Sequence, residues 1–99
     1  MCNINELPKT YQDDINKALE ILKNEGCNAI YLFGSLVNGS YHENSNINIG
    51  VSGLLPQKFF RVWADLDNTL LNEVELVDFD FENKKYVFLN SIGEVFKLV

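Results

Sequence analysis

The chain has 99 residues, 46% of them hydrophobic and 12% aromatic, and a formal net charge of −6. This size and apolar content exclude a disordered chain and predict a single domain over residues 1–99 with one core. A long nucleic acid is disfavoured as a substrate, because such binding depends on clustered cationic contacts to phosphate and the eight Lys and Arg residues are scattered. With no apolar run of bilayer length and no signal-peptide pattern, we expect a cytoplasmic protein without membrane contact.

The first predicted element is an amphipathic helix over Thr10–Glu25. Five apolar residues recur at helical spacing on one face of it: Tyr11, Ile15, Ala18, Leu19 and Leu22. Thr10 and Asp13 have the spacing of a capping box at the start of the helix. Gly26 follows as a C-terminal stop.

A strand and a glycine-serine turn are predicted next. Residues Asn28–Phe33 contain the run A-I-Y-L-F, which is apolar without alternation and is typical of a central strand covered on both faces. Gly34 and Ser35 end this strand. Residues Leu36–Asn38 are predicted to form a short helical turn that Gly39 closes.

The second strand is predicted over Asn46–Val51, after a polar loop at residues 40–45. Its residues alternate with a period of two. One face carries Ile47, Ile49 and Val51, and the other carries Asn46, Asn48 and Gly50.

The second half of the chain adds a long helix, a third strand and two shorter elements. The helix is predicted over Pro56–Leu71, with an apolar stripe made of Phe59, Phe60, Trp63, Leu66, Leu70 and Leu71. The strand Val74–Phe79 places Glu75, Val77 and Phe79 on one face. A short helix over Phe81–Asn90 and an edge strand over Val95–Val99 follow. This order predicts an α/β (α+β) fold, a small mixed β-sheet packed on helices that lie mainly on one face.

One motif joins the first two strands. Gly34 and Ser35 are followed by ten residues and then by Asn46 and Asn48, which share one face of a strand. This arrangement resembles the G-S-x10-D-x-D signature of the minimal nucleotidyltransferases of the DNA polymerase β superfamily. The spacing is the same, but both aspartates are asparagines here. The resemblance covers residues 29–79 well and the C-terminal part loosely, and it implies a nucleotidyltransferase-like fold.

The resemblance also implies a site for ATP and Mg²⁺. It implies that Gly34 and Ser35 bind the terminal phosphates, and that Asn46, Asn48 and Glu75 occupy the positions of the catalytic, metal-binding carboxylates. Glycine permits close backbone approach, and two carboxylates on one strand can bridge two metal ions about 3.5–4 Å apart. Asp78 and Asp80 are alternatives to Glu75 for the third carboxylate, although Asp78 points to the other face of a regular strand.

Two departures from the family pattern predict little or no catalysis. The amides of Asn46 and Asn48 carry no charge and bridge two dications poorly. In addition, Leu36 and Asn38 stand where many relatives have arginines in a G-S-R-A-R-G turn, which weakens the expected triphosphate affinity. Engineering and natural loss of activity are two possible origins of the asparagine pair. A third, an asparagine-rich turn unrelated to the family, is disfavoured by the matching spacing from Gly34 and Ser35.

The resemblance implies an antitoxin that transfers AMP from ATP to a tyrosine of a small helical toxin of the HEPN type. The alternatives are a non-catalytic binding module that neutralises its partner by contact and a sensor that binds ATP without turnover. A homo-oligomer is compatible with each of these. The side chains of Tyr41, His42, Lys58 and Arg61 are interpreted as surface residues.

Overall fold

The computed structural model describes residues 4–39, 41, 45–80 and 95–99. The helices are two 3₁₀ turns at Ile4–Glu6 and Pro56–Lys58 and the α-helices α1 (Lys9–Asn24), α2 (Ser35–Asn38) and α3 (Phe59–Thr69). The strands are β1 (Ala29–Phe33), β2 (Ile47–Ser52), β3 (Val74–Asp78) and β4 (Val95–Lys97). Within the described residues, no helix combines the length and apolar character needed to cross a bilayer.

The four strands form one mixed sheet in the order β3-β2-β1-β4. Strand β1 is antiparallel to both of its neighbours, whereas β2 and β3 are parallel. A parallel pair needs a crossover, and α3 supplies it between β2 and β3. The predicted fold class, a small mixed sheet packed on helices, is confirmed.

The main core lies between one face of the sheet and the helices α1 and α3. Alternation along β2 directs Ile47, Ile49 and Val51 into this core, and all three are fully buried. A smaller cluster of Phe33, Val77 and Phe79 covers the opposite face, with Tyr31 and Val95 packed against it. We refer to this opposite face as the second face of the sheet.

The first helix agrees with its prediction except at its start. The residue that caps α1 is Pro8, no side chain forms a cap there, and Thr10 already lies inside the helix, so the predicted capping box is wrong. At the other end Gly26 adopts a positive φ of 93°. The Gly26 and Cys27 amides donate to the carbonyls of Lys23 and Leu22, the pattern of a Schellman motif.

The apolar stripe predicted on the second long helix is partly wrong. Phe60 and Leu71 are 77% and 75% exposed, whereas Val62 and Leu66 are buried. Because successive helical residues turn by about 100°, Phe60 points away from the core line that Val62 and Leu66 define. Leu71 lies beyond the end of α3, after Leu70 has left the helical conformation.

Some predicted segments lie outside the described residues. They are the short helix over Phe81–Asn90 and most of the polar loop at residues 40–45, which includes His42. The predicted edge strand is present as Val95–Lys97, and it pairs with β1.

An aromatic ring on the second face requires glycine at position 50. Phe79 lies directly over Gly50, where an added Cβ would overlap the ring. The same ring packs against Tyr31 and Phe33, with centroids 5.4 and 5.9 Å away. Gly50 therefore provides the space in which Phe79 closes the second face.

We predict that Gly50→Ala lowers the free energy of unfolding by about 1–3 kcal/mol, the usual cost of overpacking. Urea unfolding measures this loss. In a Phe79→Leu background the same alanine should cost clearly less, because the clashing ring is gone. An equal cost in both backgrounds would show that Phe79 is not the cause.

Candidate functional site

The strand register brings Asn48 and Glu75 together. Asn48 of β2 pairs with Glu75 of β3 on one side and with Phe33 of β1 on the other. Neighbouring strands lie about 4.8 Å apart, and paired residues point to the same face. Since Ile47 and Ile49 fill the main core, this row of side chains lies on the second face. Glu75 is exposed and Asn48 is half-buried.

The glycine-serine turn meets the same row. Gly34 links β1 to α2 with a φ of 85° and a ψ of −150°, a conformation that favours glycine. The Asn48 side chain packs against it so closely that a Cβ at Gly34 would overlap the amide nitrogen. Glycine is thus required here both by the backbone conformation and by the contact with Asn48.

Ser35 and Asn46 lie at the edges of this arrangement. Ser35 is half-buried and begins α2, where its carbonyl accepts a hydrogen bond from the Gly39 amide at 3.0 Å. Asn46 is exposed and directly precedes β2, which begins at Ile47 rather than at the predicted Asn46. The two asparagines are therefore not equivalent, because only Asn48 is paired in the sheet.

The alternative carboxylates lie at the other end of β2. Asp78 pairs with Val51, and its Oδ1 accepts a hydrogen bond from the Asp80 amide at 2.9 Å. Asp80 in turn accepts from the Gly53 amide at 2.7 Å. Asp80 thus stabilises the turn after β2 and Asp78 the turn after β3, and the structure does not bring either carboxylate to Asn48.

Two side chains of α1 that the sequence analysis did not assign to the site fix its strands. The Tyr11 hydroxyl donates to the carbonyl of Ser45, the residue before Asn46, at 3.0 Å. Asp14 is fully buried and accepts from the Leu71 amide at 3.0 Å. It also accepts from the amide and the side chain of Asn72, both at 2.8 Å.

The sequence did contain a signal for Asp14. It lies three residues after Tyr11 and four before Ala18, so it falls on the apolar face of α1. A carboxylate on such a face is buried and needs hydrogen-bond donors. Those donors come from the segment before β3. That segment also binds β2, because the Glu73 carbonyl accepts from the Ile47 amide at 2.8 Å.

The residues interpreted as surface side chains have mixed outcomes. Lys58 and Arg61 form ion pairs with Glu25 at 3.7 and 2.8 Å, on the molecular surface as predicted. The hydrogen bond from Arg61 lowers the pKa of Glu25. Tyr41 is half-buried and packs edge-on against Tyr11, with ring centroids 6.3 Å apart, so the surface interpretation is wrong for it.

The donor atoms at this site do not fit a pair of Mg²⁺ ions. Asn46 and Asn48 offer neutral amides, and Glu75 adds one carboxylate. Among the residues that the structure describes, no three His, Cys, Asp or Glu side chains form a cluster able to hold a metal ion. Two bridged dications require several negatively charged oxygens, which this set lacks.

Comparison with known proteins yields one family and several related structures. Residues 16–97 match the family model described as "Polymerase beta, Nucleotidyltransferase". No curated protein sequence matches the chain.

Three similar structures are toxin–antitoxin complexes. The first, a toxin–antitoxin with AMP-PNP, is 28% identical with a TM-score of 0.64 over 81% of this chain and 69% of the other. A mutant of the toxin–antitoxin MntA-HpeT is 27% identical with a TM-score of 0.68 over 85% and 71%. The toxin–antitoxin MntA-HepT is 23% identical with a TM-score of 0.63 over 89% and 71%, which shows a shared fold.

We predict that Asp14→Ala lowers the free energy of unfolding by about 2–4 kcal/mol, because it leaves the part-buried N–H donors of Leu71 and Asn72 without an acceptor. Urea unfolding measures the change. Asp13→Ala is the matched control, since Asp13 forms only an exposed pair with Lys9, and it should cost about 0.5 kcal/mol or less. Equal losses in the two variants would contradict the role assigned to Asp14.

Proposed function

The chain belongs to the polymerase β family of nucleotidyltransferases, and from this premise we propose that it is the antitoxin partner of a small helical HEPN-type toxin. We further propose that the scaffold is built to transfer AMP from ATP to a tyrosine of that toxin. Asn46 and Asn48 silence this transfer in the chain as it stands. Two relatives above 25% identity support the proposal, since both are toxin–antitoxin complexes and one contains AMP-PNP.

The observation that carries the proposal is the contact of Asn48 with the glycine-serine turn and with the position of the third carboxylate. Asn48 packs against Gly34 on one side and pairs with Glu75 on the other. Asparagine and aspartate have nearly the same shape, so aspartate fits the same space. These contacts support a site that has the shape of a nucleotidyltransferase site but lacks the charge that would bind metal ions.

The glycine-serine turn supplies few groups for a triphosphate. Leu36 and Val37, which follow Ser35, are buried in the main core. Neither of these two side chains can reach an anion. The groups left at the start of this turn are the backbone around Gly34 and the Ser35 hydroxyl, which is consistent with weak nucleotide binding.

The neutral asparagine pair supports a second candidate function, neutralisation of the toxin by contact alone. With Asn46 and Asn48 in place, Glu75 is the one carboxylate among the proposed site residues. This second function needs neither a metal ion nor ATP. It requires only that the chain bind the toxin and cover or distort its active surface.

The double substitution Asn46→Asp/Asn48→Asp should raise AMP transfer by at least about 100-fold, because it restores the charges that electrostatic catalysis requires. The assay uses ATP labelled at the α-phosphate, Mg²⁺ and a candidate cognate toxin, which is a small HEPN-type protein identified by a gene next to that of this chain. The tyrosine oxygen bonds to the α-phosphorus, the bond to pyrophosphate breaks, and the phenol proton passes to solvent. The label therefore stays on the toxin.

The control adds the same two charges elsewhere. Asn16 and Asn68 are exposed on α1 and α3, and Asn16→Asp/Asn68→Asp should transfer no label. Label from this control, or none from the site variant, would contradict the catalytic proposal. If the chain as it stands inhibits the toxin without labelling it, neutralisation by contact is its function. If it does not bind the toxin, the antitoxin proposal is wrong.

A further inference from the structure

Large apolar side chains are exposed near both ends of α3. Phe60 and Leu71 are 77% and 75% exposed, the two largest values among the exposed large hydrophobic residues of the described chain. Phe60, Trp63 and Asp67 follow one another at i, i+3 and i+7, so they lie along one side of the helix. Apolar groups grouped in this way beside a cavity mark an interaction surface.

A cavity of about 340 Å³ opens between the end of α3 and the start of β3. Trp63, Leu71 and Val74 form apolar parts of its wall, and Asp67 and Glu73 also line it. The Trp63 indole donates to the Val74 carbonyl at 2.9 Å and packs edge-on against Phe59. The indole is thus held in place as a preformed wall. We use the name α3–β3 cleft for the surface made by the lining residues Trp63, Asp67, Leu71 and Glu73 together with Phe60, which does not line the cavity but lies one helical turn before Trp63.

The negative charge of the cleft favours a basic partner. Asp67 and Glu73 are exposed. In the described part of the chain, Lys9, Lys58 and Arg61 form ion pairs with other carboxylates. None of these ion pairs includes Asp67 or Glu73. A second copy of this chain, with a net charge of −6, would bring like charges to the cleft. A basic protein segment has the complementary charge.

The cleft adjoins the candidate site along the chain. Glu73 and Val74 line the cleft, and Glu75 is the next residue of the same strand. The Glu73 carbonyl also accepts from the Ile47 amide, next to Asn48. A protein bound in the cleft therefore lies at the β3 edge, within a few residues of the Asn48–Glu75 pair.

We propose that the α3–β3 cleft docks a helical segment of the toxin that presents one large apolar side chain next to a Lys or Arg. The identity of this partner rests on the proposed function; the chemistry of the segment follows from the cleft itself. The apolar side chain packs between Trp63 and Leu71, and the basic group pairs with Asp67 or Glu73. Burial of one such anchor supplies a large part of the binding energy at many interfaces.

Trp63 is the only tryptophan of the chain, so it reports on the cleft directly. We would label the full chain with 5-fluorotryptophan and titrate it with unlabelled cognate toxin, observing the single ¹⁹F resonance. The resonance should shift on binding. Leu71→Lys and Phe60→Lys should each weaken the affinity by about tenfold or more, and Asp67→Lys/Glu73→Lys should do the same through repulsion of the basic group.

Two control variants match these changes on other surfaces. Leu55 is 50% exposed before α3, and Glu20 is exposed on α1, so Leu55→Lys and Glu20→Lys should bind as the parent does. Unchanged urea midpoints would show that all variants fold. If the parent binds but cleft and control variants bind equally well, the cleft is not the docking site and the antitoxin proposal stands. If the parent does not bind, both proposals are wrong.

Discussion

The hydrogen bonds of one buried carboxylate determine how the strands of this protein meet. Asp14 has no exposed surface, and three N–H donors from Leu71 and Asn72 compensate for its removal from water. The donors belong to the short segment between α3 and β3, so this contact fixes where β3 begins. Tyr11, one helical turn earlier, holds the segment before β2 through the Ser45 carbonyl. Helix α1 thereby sets the positions of the two parallel strands, and with them the Asn48–Glu75 pair.

Replacing aspartate by asparagine changes the electrostatics of the site more than its shape. Asn48 sits between Gly34 and Glu75, where a carboxylate would stand beside another carboxylate. Like charges on paired strand positions destabilise a sheet unless a cation lies between them. The neutral amides remove this repulsion, so the site is stable without a metal ion. The same change removes the charges that nucleotidyl transfer would need. One substitution therefore explains both the stability of the site without a metal ion and the proposed loss of catalysis.

The errors of the sequence-based predictions have identifiable physical causes. Thr10 had the spacing of a cap, but Pro8 occupies the N-cap position and the helix begins at Lys9. Phe60 was placed in the core because it is apolar, yet Val62 and Leu66 define the buried line of α3. Tyr41 was interpreted as a surface residue because a polar loop surrounds it, but Tyr11 offers it an aromatic neighbour. In each case a residue distant in sequence or a neighbouring backbone constraint outweighed the local pattern.

The sequence by itself determined the two long helices, the strands, the faces of the strands and the spacing of the Gly34-to-Asn48 motif. These follow from local periodicity, since side chains alternate along a strand whatever lies beside it. Only the tertiary structure decided that Glu75, and not Asp78 or Asp80, lies beside Asn48, and that Asp14 is a buried acceptor. The register of two parallel strands joined by a helical crossover is not a local property. The register depends on the positions at which buried groups such as Asp14 form their hydrogen bonds. Those positions are defined only once the chain is packed.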